Sequence, residues 1–179
     1  MLEIKKVEAP DFFNLWIKDN KENSQRLRGF ILENEQRNVC CYCEKKISPV
    51  QRESHIDHIR PQDKFPKLKH DYCNLAVSCM TANRCGNSKG NQFNMNFIVP
   101  TEENPLDYLT YSASGEIRSI NDNPKGIETI KILNLNASSL VGARRVMFIK
   151  LEAMKDSIDD FSNYFHEYPT LIDYFRENY

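Results

Sequence analysis

The sequence lacks the features that would place it in several large classes. No apolar run approaches the roughly 18–20 residues needed to cross a bilayer. The opening Met1-Leu2-Glu3-Ile4-Lys5-Lys6 has no apolar stretch of the secretory-signal kind. The expectation is therefore a cytoplasmic protein with no membrane partner. There is no internal repeat and no low-complexity tract, which excludes solenoids and disordered arrays. An excess of one charge is also missing: 24 basic residues face 25 acidic ones, for a net charge of −1. A protein that coats nucleic acid by charge alone is excluded, although a small site can still read phosphate locally.

What is present fits an ordinary globular chain. Its 179 residues, 40% hydrophobic and 27% charged, suffice for one compact domain with elaborations and a core that needs no crosslinks. Six cysteines without an export signal point to metal ligation rather than disulfides, and all six lie between positions 40 and 85. Charge is uneven. Residues 51–70 carry five basic side chains (Arg52, Arg60, Lys64, Lys67, Lys69) against Glu53, Asp57 and Asp63. Residues 152–179 carry seven acids against Lys155 and Arg176. That tail reads first as solvated helix surface and second as a docking surface for a partner.

The texture separates four segments: a helical support at 1–38, a Cys-, His-, Asn- and Pro-rich centre at 39–98, a connection and hairpin at 99–123 turning at Ser114-Gly115, and a helical region at 124–179. In the first, Pro10 suits an initial helical turn. Phe12, Phe13, Leu15 and Trp16 form its apolar face, with Leu27, Phe30 and Ile31 on a second helix. In the last, Leu140, Ala143, Met147, Leu151, Met154, Ile158, Phe161 and Phe165 fall on one stripe that reads as core. Pro169 breaks it, and a short helix at 171–175 follows.

Cys40-Cys41-Tyr42-Cys43 contains the C-x-x-C spacing with which two thiolates reach one tetrahedral zinc. The second pair, Cys79 and Cys85, is separated by five residues, so its turn must be wider than a standard knuckle. The expected site is a structural zinc held by Cys40, Cys43, Cys79 and Cys85, with Cys41 pointing away and Cys73 a small buried side chain. The rival, a redox C-x-x-C, lacks the surrounding strand-helix pattern.

Between the cysteine pairs lies Ser54-His55-Ile56-Asp57-His58-Ile59-Arg60-Pro61-Gln62. Asp-His between isoleucines reads as a short strand carrying polar groups where a core would not want them. In a regular strand Asp57 and His58 face opposite sides, so one of them must lie at a bend or strand end. By alternation His55 shares a face with Asp57, as a supporting group, an extra ligand or a hydrogen-bonded bystander. Further on stand Asn74-Leu75-Ala76-Val77-Ser78-Cys79 and Cys85-Gly86-Asn87-Ser88-Lys89-Gly90. The set D-H-I-x-P, N-L-x-x-x-C and C-x-N-x-K-G resembles the HNH (ββα-metal) endonucleases of the zinc-stabilised branch.

That resemblance implies an α+β fold, a small zinc-bound ββα-metal core embedded in a mainly helical domain. It implies a metal-dependent endonuclease that hydrolyses phosphodiester bonds. His58 would be the general base, and Asp57 and Asn87 would hold one divalent ion, Mg²⁺ or Mn²⁺. Asn74 would orient the His58 ring. Many such sequences place the last ligand directly after the cysteine, where this chain has Gly86. Asn87 is therefore the expected ligand, with Asn83 and Asn91 as alternatives. Arg60 and Lys89 would bind flanking phosphates, against a reading as plain surface charge. Residues 25–150, with Val39-Cys40-Cys41-Tyr42-Cys43-Glu44 and Gly126-Ile127-Glu128-Thr129-Ile130-Lys131 among them, look like the PtuB group of Septu and retron-associated anti-phage systems. The subgroup implies an ATPase partner of the PtuA type and nucleic acid, DNA first, as substrate. Two other readings compete: a catalytically silent zinc module that binds nucleic acid or protein, and a stand-alone restriction or homing HNH enzyme. The joint presence of Asp57, His58, Asn74 and Asn87 argues against the former, and the acidic tail against the latter.

Overall fold

The computed structural model describes residues 1–156, 161 and 164–179. Helix α1 (Phe13–Lys18) buries Phe13 and Trp16, whose rings stack with centroids 5.5 Å apart. Leu15 turns outward at 51% exposure, so the apolar face is narrower than the sequence suggests. Pro10 sits in the turn before the helix, its carbonyl accepting the Phe13 N–H at 2.7 Å. In α2 (Asn20–Glu35), Leu27 and Ile31 are fully buried one turn apart. Each such burial contributes roughly 1.5–3 kcal/mol.

The centre of the chain is a two-stranded antiparallel hairpin. Strand β1 (Ser54–His58) runs beside β2 (Leu75–Cys79), with Ser54 opposite Cys79 and His58 opposite Leu75. Every residue of β2 is buried, as its Leu-Ala-Val-Ser-Cys sequence requires. Helix α3 (Cys85–Lys89) packs on β2 and completes a ββα unit. A second hairpin joins β3 (Leu109–Tyr111) and β4 (Ile117–Ser119) through the expected turn. Gly115 there has φ +89°, and a Cβ on it would lie 2.2 Å from the Val141 carbonyl oxygen, so only glycine fits.

The C-terminal segment is helical. Helix α4 (Pro124–Leu133) starts with proline in its first turn, is capped by the Asn123 side chain on the Lys125 N–H, and stops at Asn134 in the left-handed region. Helix α5 (Ser138–Met154) buries Leu140, Met147 and Leu151. The anticipated stripe therefore lines the core as far as Met154; Ile158 lies outside the described residues, while Phe161 is buried and Phe165 half-buried. Pro169 does more than break the stripe: it opens α6 (Pro169–Asn178), which is longer than the 171–175 segment expected.

One cluster of buried side chains draws on the N-terminal, central, hairpin and C-terminal segments alike. Its polar centre is Glu44, directly after the first cysteine knuckle and 1% exposed. Its carboxylate accepts from the Met1 α-amino group, from Thr170 Oγ1 at 2.6 Å, from the Thr170 N–H at 2.9 Å and from Tyr111 Oη at 3.2 Å. Burial alone would push this carboxyl upward, but the ammonium and the Thr170 donors hold it below the ordinary carboxylate range. Among the described residues no helix is long and apolar enough to cross a membrane.

Candidate metal centre and active site

The four cysteines singled out by spacing come together. The sulfurs of Cys40, Cys43, Cys79 and Cys85 all lie within 4.8 Å of one another, and Cys43 and Cys79 are 4.0 Å apart. Four sulfurs at about 2.3 Å from a tetrahedral zinc stand roughly 3.8 Å apart, so the cluster fits that ion. Local backbone explains the fit. Cys40 and Glu44 close the first knuckle through Glu44 N–H on the Cys40 carbonyl, 2.9 Å. The five-residue gap of the second pair is turned by Asn83 and Cys85, both at positive φ. The Cys79 N–H donates to Cys40 Sγ at 3.3 Å, as backbone donors do for thiolate ligands.

Crowding splits the thiols. Burial pushes Cys40 up, but its four cysteine neighbours together pull it well below the ordinary thiol range. Cys79, pushed up by Cys40 but pulled down by Cys43 and Cys85, falls to about 6. Cys43 and Cys85 are driven upward, by Cys40 first. Cys41 is buried outside the cluster, its thiol pushed up by burial. Cys73 is exposed, not buried, because it sits on the short 3-10 turn Tyr72–Asn74 at the surface.

The Asp57-His58 pair diverges. His58 is the last residue of β1, yet its side chain and that of Asp57 leave the strand in different directions. Asp57 points inward: Tyr42 Oη donates to Oδ2 at 2.5 Å, and Lys89 Nζ lies 3.3 Å from Oδ1. Tyr42, which lies between the two knuckle cysteines, was missed by sequence reasoning. Its place inside C-x-x-C was the available signal. Lys89 is 1% exposed and also donates to the His58 carbonyl at 2.9 Å. Lys89, expected at a flanking phosphate, is placed by the fold as the buried counterion of Asp57. Arg60 is half-buried and its guanidinium grips both oxygens of Glu102 at 2.5 and 2.7 Å, which also occupies it.

His58 faces a cleft of about 350 Å³ on the open edge of β1, lined by Trp16, Arg28, His55, Gln62 and Met80 among others. Its Nε2 lies 2.9 Å from the Lys69 carbonyl. A carbonyl only accepts, so Nε2 carries the proton and Nδ1 keeps its lone pair. Burial holds this imidazole below its ordinary pKa, against the Lys69 carbonyl and Asp57, which raise it. Asn74 does not touch the ring. Its Oδ1 accepts the Arg60 N–H at 2.8 Å, and its Nδ2 donates to the carbonyls of Arg60 and Leu68 at 3.0 and 3.2 Å. It staples the backbone on either side of the loop, and the ring's partner is Lys69 instead.

Asn87 is exposed, and its amide caps the Met80 and Thr81 carbonyls at 2.9 and 3.2 Å, so the fold does not aim it at Asp57. Of the alternatives, Asn83 forms the left-handed turn and Asn91 bonds Asp63. His55 has its Nδ1 3.1 Å from Met80 Sδ and its ring against Gly86. Met80 also borders a neighbouring groove carrying Lys45, Lys46, Arg52 and Arg84 against Glu53 and Glu167. This cationic lining is next to the His58 cleft and was not legible as a cluster, because its members are spread over forty positions of chain.

The family model described as HNH endonuclease matches residues 40–92, the segment from the first knuckle to the end of α3. A Vibrio cholerae (serotype O1 biovar El Tor) protein named as the HNH endonuclease of retron Vc95 is 32% identical over 152 residues, 73% of this chain and 69% of that protein. The Septu protein PtuB of Bacillus thuringiensis is 29% identical over 104 residues, 55% of this chain. The chain spans 37% of the length of that protein.

Proposed function

The chain belongs to the HNH endonuclease family, and on that premise we propose that it is the nuclease effector of a bacterial anti-phage system, cutting DNA in concert with an ATPase of the PtuA type. The names of the retron and Septu relatives support the biological setting. The observation that carries the chemistry is His58: an imidazole at the end of a strand, tethered by Nε2 to a backbone carbonyl, facing a cleft on a cysteine-bound frame.

In this reading His58 Nδ1 takes a proton from a water as that water attacks phosphorus. One P–O bond forms, the ester P–O bond opposite breaks, and the departing oxygen takes up a proton. The imidazole is held neutral by burial, which is the form a base needs. A divalent ion, when bound, polarises the phosphate and stabilises the leaving oxygen. Cys40, Cys43, Cys79 and Cys85 would hold a zinc, which would fix the geometry. Lys45, Lys46 and Arg52, beside the cleft, would meet the phosphate backbone.

The test is a cleavage assay on duplex DNA with Mg²⁺ or Mn²⁺, for the chain alone and with an added ATPase of the PtuA type. Cleavage stopped by EDTA and lost in His58→Ala supports the proposal. A wild type that cuts nothing even with its partner favours the second reading, a silent zinc module. The observation in favour of that reading is the Asp57 carboxylate, already engaged by Tyr42 and Lys89.

A further inference from the structure

Three buried side-chain atoms have no hydrogen-bond partner among the described residues: Arg84 Nε, Arg144 Nη1 and Tyr168 Oη. The two arginines are otherwise well held. Arg144 donates from Nε to the Gly115 carbonyl at 2.6 Å and from Nη2 to the Leu135 carbonyl at 2.8 Å. Arg84 donates from Nη1 to Ser139 Oγ at 3.1 Å and from Nη2 to Thr81 Oγ1 at 3.0 Å. Arg144 and Tyr168 are 1% and 2% exposed, so bulk water does not serve them. An orphaned buried donor is a cost that native folds rarely accept. Three of them beside one neighbour point to a shared acceptor.

That neighbour is Cys43. Burial pushes the Tyr168 phenol up, and Glu167 and Cys43 add to the push. Burial draws the Arg144 guanidinium down, while Tyr111, Tyr168, Glu44 and Cys43 oppose it. Burial acts on Arg84 in the same way, but Cys43 and Cys79 outweigh it. The backbone agrees with this grouping. The Tyr168 N–H donates to the carbonyl of Glu44, one residue past Cys43, at 2.9 Å, and Arg84 directly precedes Cys85. Tyr168 also holds φ +56°, a strained conformation for a bulky residue. Thiolate sulfur is an acceptor, and four thiolates on one divalent ion leave an excess of negative charge that a buried site must compensate. Two guanidiniums and a phenol supply that compensation.

We infer that Arg84, Arg144 and Tyr168 donate to the thiolates of the cysteine metal site, with Arg84 coming from the second knuckle and the other two from the C-terminal helical region. The inference rests on the reading of the four cysteines as a zinc site. It carries that site beyond residues 40–92, the span shared with the HNH family, to α5 and to the start of α6. Zinc binding and the seating of these helices on the nuclease core are thereby coupled.

Two measurements on the full chain test this without any turnover: zinc affinity by competition with a chromophoric chelator, and the thiolate-to-metal charge-transfer band of the Co²⁺-substituted protein. Tyr168→Phe keeps the ring and removes only the hydroxyl. It should weaken zinc binding by about 10-fold and move the cobalt band to lower energy, because a thiolate that loses a donor gives up its electrons more readily. Arg84→Gln should do the same, whereas Tyr164→Phe, at an exposed position, should change neither. Should Arg144→Gln fail to fold for want of its bonds to the Gly115 and Leu135 carbonyls, the other two variants still decide. Unchanged affinity in Tyr168→Phe and Arg84→Gln overturns the inference. Weaker zinc with an unmoved cobalt band also overturns it, since that is the signature of packing alone. A folded wild type that takes up neither zinc nor cobalt would instead remove the zinc reading itself.

Discussion

Replacing Lys89 with methionine separates two roles that a lysine near a nuclease site could have. In the structure its ammonium is 3.3 Å from Asp57 Oδ1, with the two side chains 1% and 12% exposed, and it also donates to the His58 carbonyl at 2.9 Å. Lys89→Met keeps most of the volume, so no large cavity forms, but it strands a buried carboxylate and a backbone carbonyl. Removing one partner of a buried pair costs about 3–5 kcal/mol. Asp57 retains Tyr42 Oη and some solvent, which puts the expectation at the lower end, about 3 kcal/mol. At roughly 2–4 °C per kcal/mol for a chain of this size, Tm should fall by about 6–12 °C. Urea melts of the zinc-loaded protein, with zinc buffered and measured before and after, give the free energy directly. Asp57→Asn combined with Lys89→Met should cost less than the two single changes added together, because each single change strands the other partner. The opposite role has its own signature. A loss below about 1 kcal/mol, together with weaker duplex binding whose salt dependence drops by about one phosphate, would mean that Lys89 reaches the nucleic acid and that its burial has been misread.

Metal analysis should find about one zinc per chain. Cys43→Ser and Cys79→Ser should each lose it and much of the fold, whereas Cys73→Ser, at an exposed position, should change neither. His58→Ala should reduce cleavage by roughly 10²- to 10⁴-fold with zinc content and Tm nearly unaltered; full activity in a preparation that EDTA inactivates would move the base elsewhere. Glu44→Ala should cost about 3–5 kcal/mol, since it leaves the Met1 ammonium, Thr170 and Tyr111 without their shared acceptor, and denaturant titration reads it. Asn87→Ala should cost only about 1 kcal/mol through its lost bonds to the Met80 and Thr81 carbonyls; a collapse of Mn²⁺ affinity in that variant would restore Asn87 as a ligand.

The parts of the site legible in the sequence are those that depend on spacing along the chain. C-x-x-C restricts two sulfurs to one ion whatever surrounds them. The alternation of β1 put His55 and Asp57 on one face before any contact was known. Direction and depth were not legible. A lysine three positions after a buried glycine reads as surface charge until the packing of α3 on β2 closes over it. Asn74 was recognisable as a polar residue entering a buried strand, but which backbone groups it satisfies depends on the loop that folds over it. Glu44 was not legible either: position 44 adopts φ +59°, where glycine or asparagine is usual, and only the fold brings the Met1 ammonium, Thr170 and Tyr111 to its carboxylate. The left-handed Tyr168 ahead of α6 likewise hid the start of that helix, so Pro169 read as an end.

Each group around Asp57 and His58 is attached within a few residues of a cysteine ligand. Tyr42 lies between Cys40 and Cys43; β1 is paired to the strand that ends at Cys79; Lys89 is on the five-residue helix that begins at Cys85. A helix that short has no independent stability, and an isolated hairpin has little. The Asp57 carboxylate keeps its two donors only while the four sulfurs hold these pieces together. The cation nearest in sequence to these sulfurs is Arg84, whose guanidinium reaches Thr81 and Ser139 while Cys43 and Cys79 hold it above its ordinary pKa against the effect of burial. The frame is therefore more than a clamp. It places Tyr42 and Lys89 on Asp57, and a change in the cysteine site should alter that arrangement even where the helical core survives.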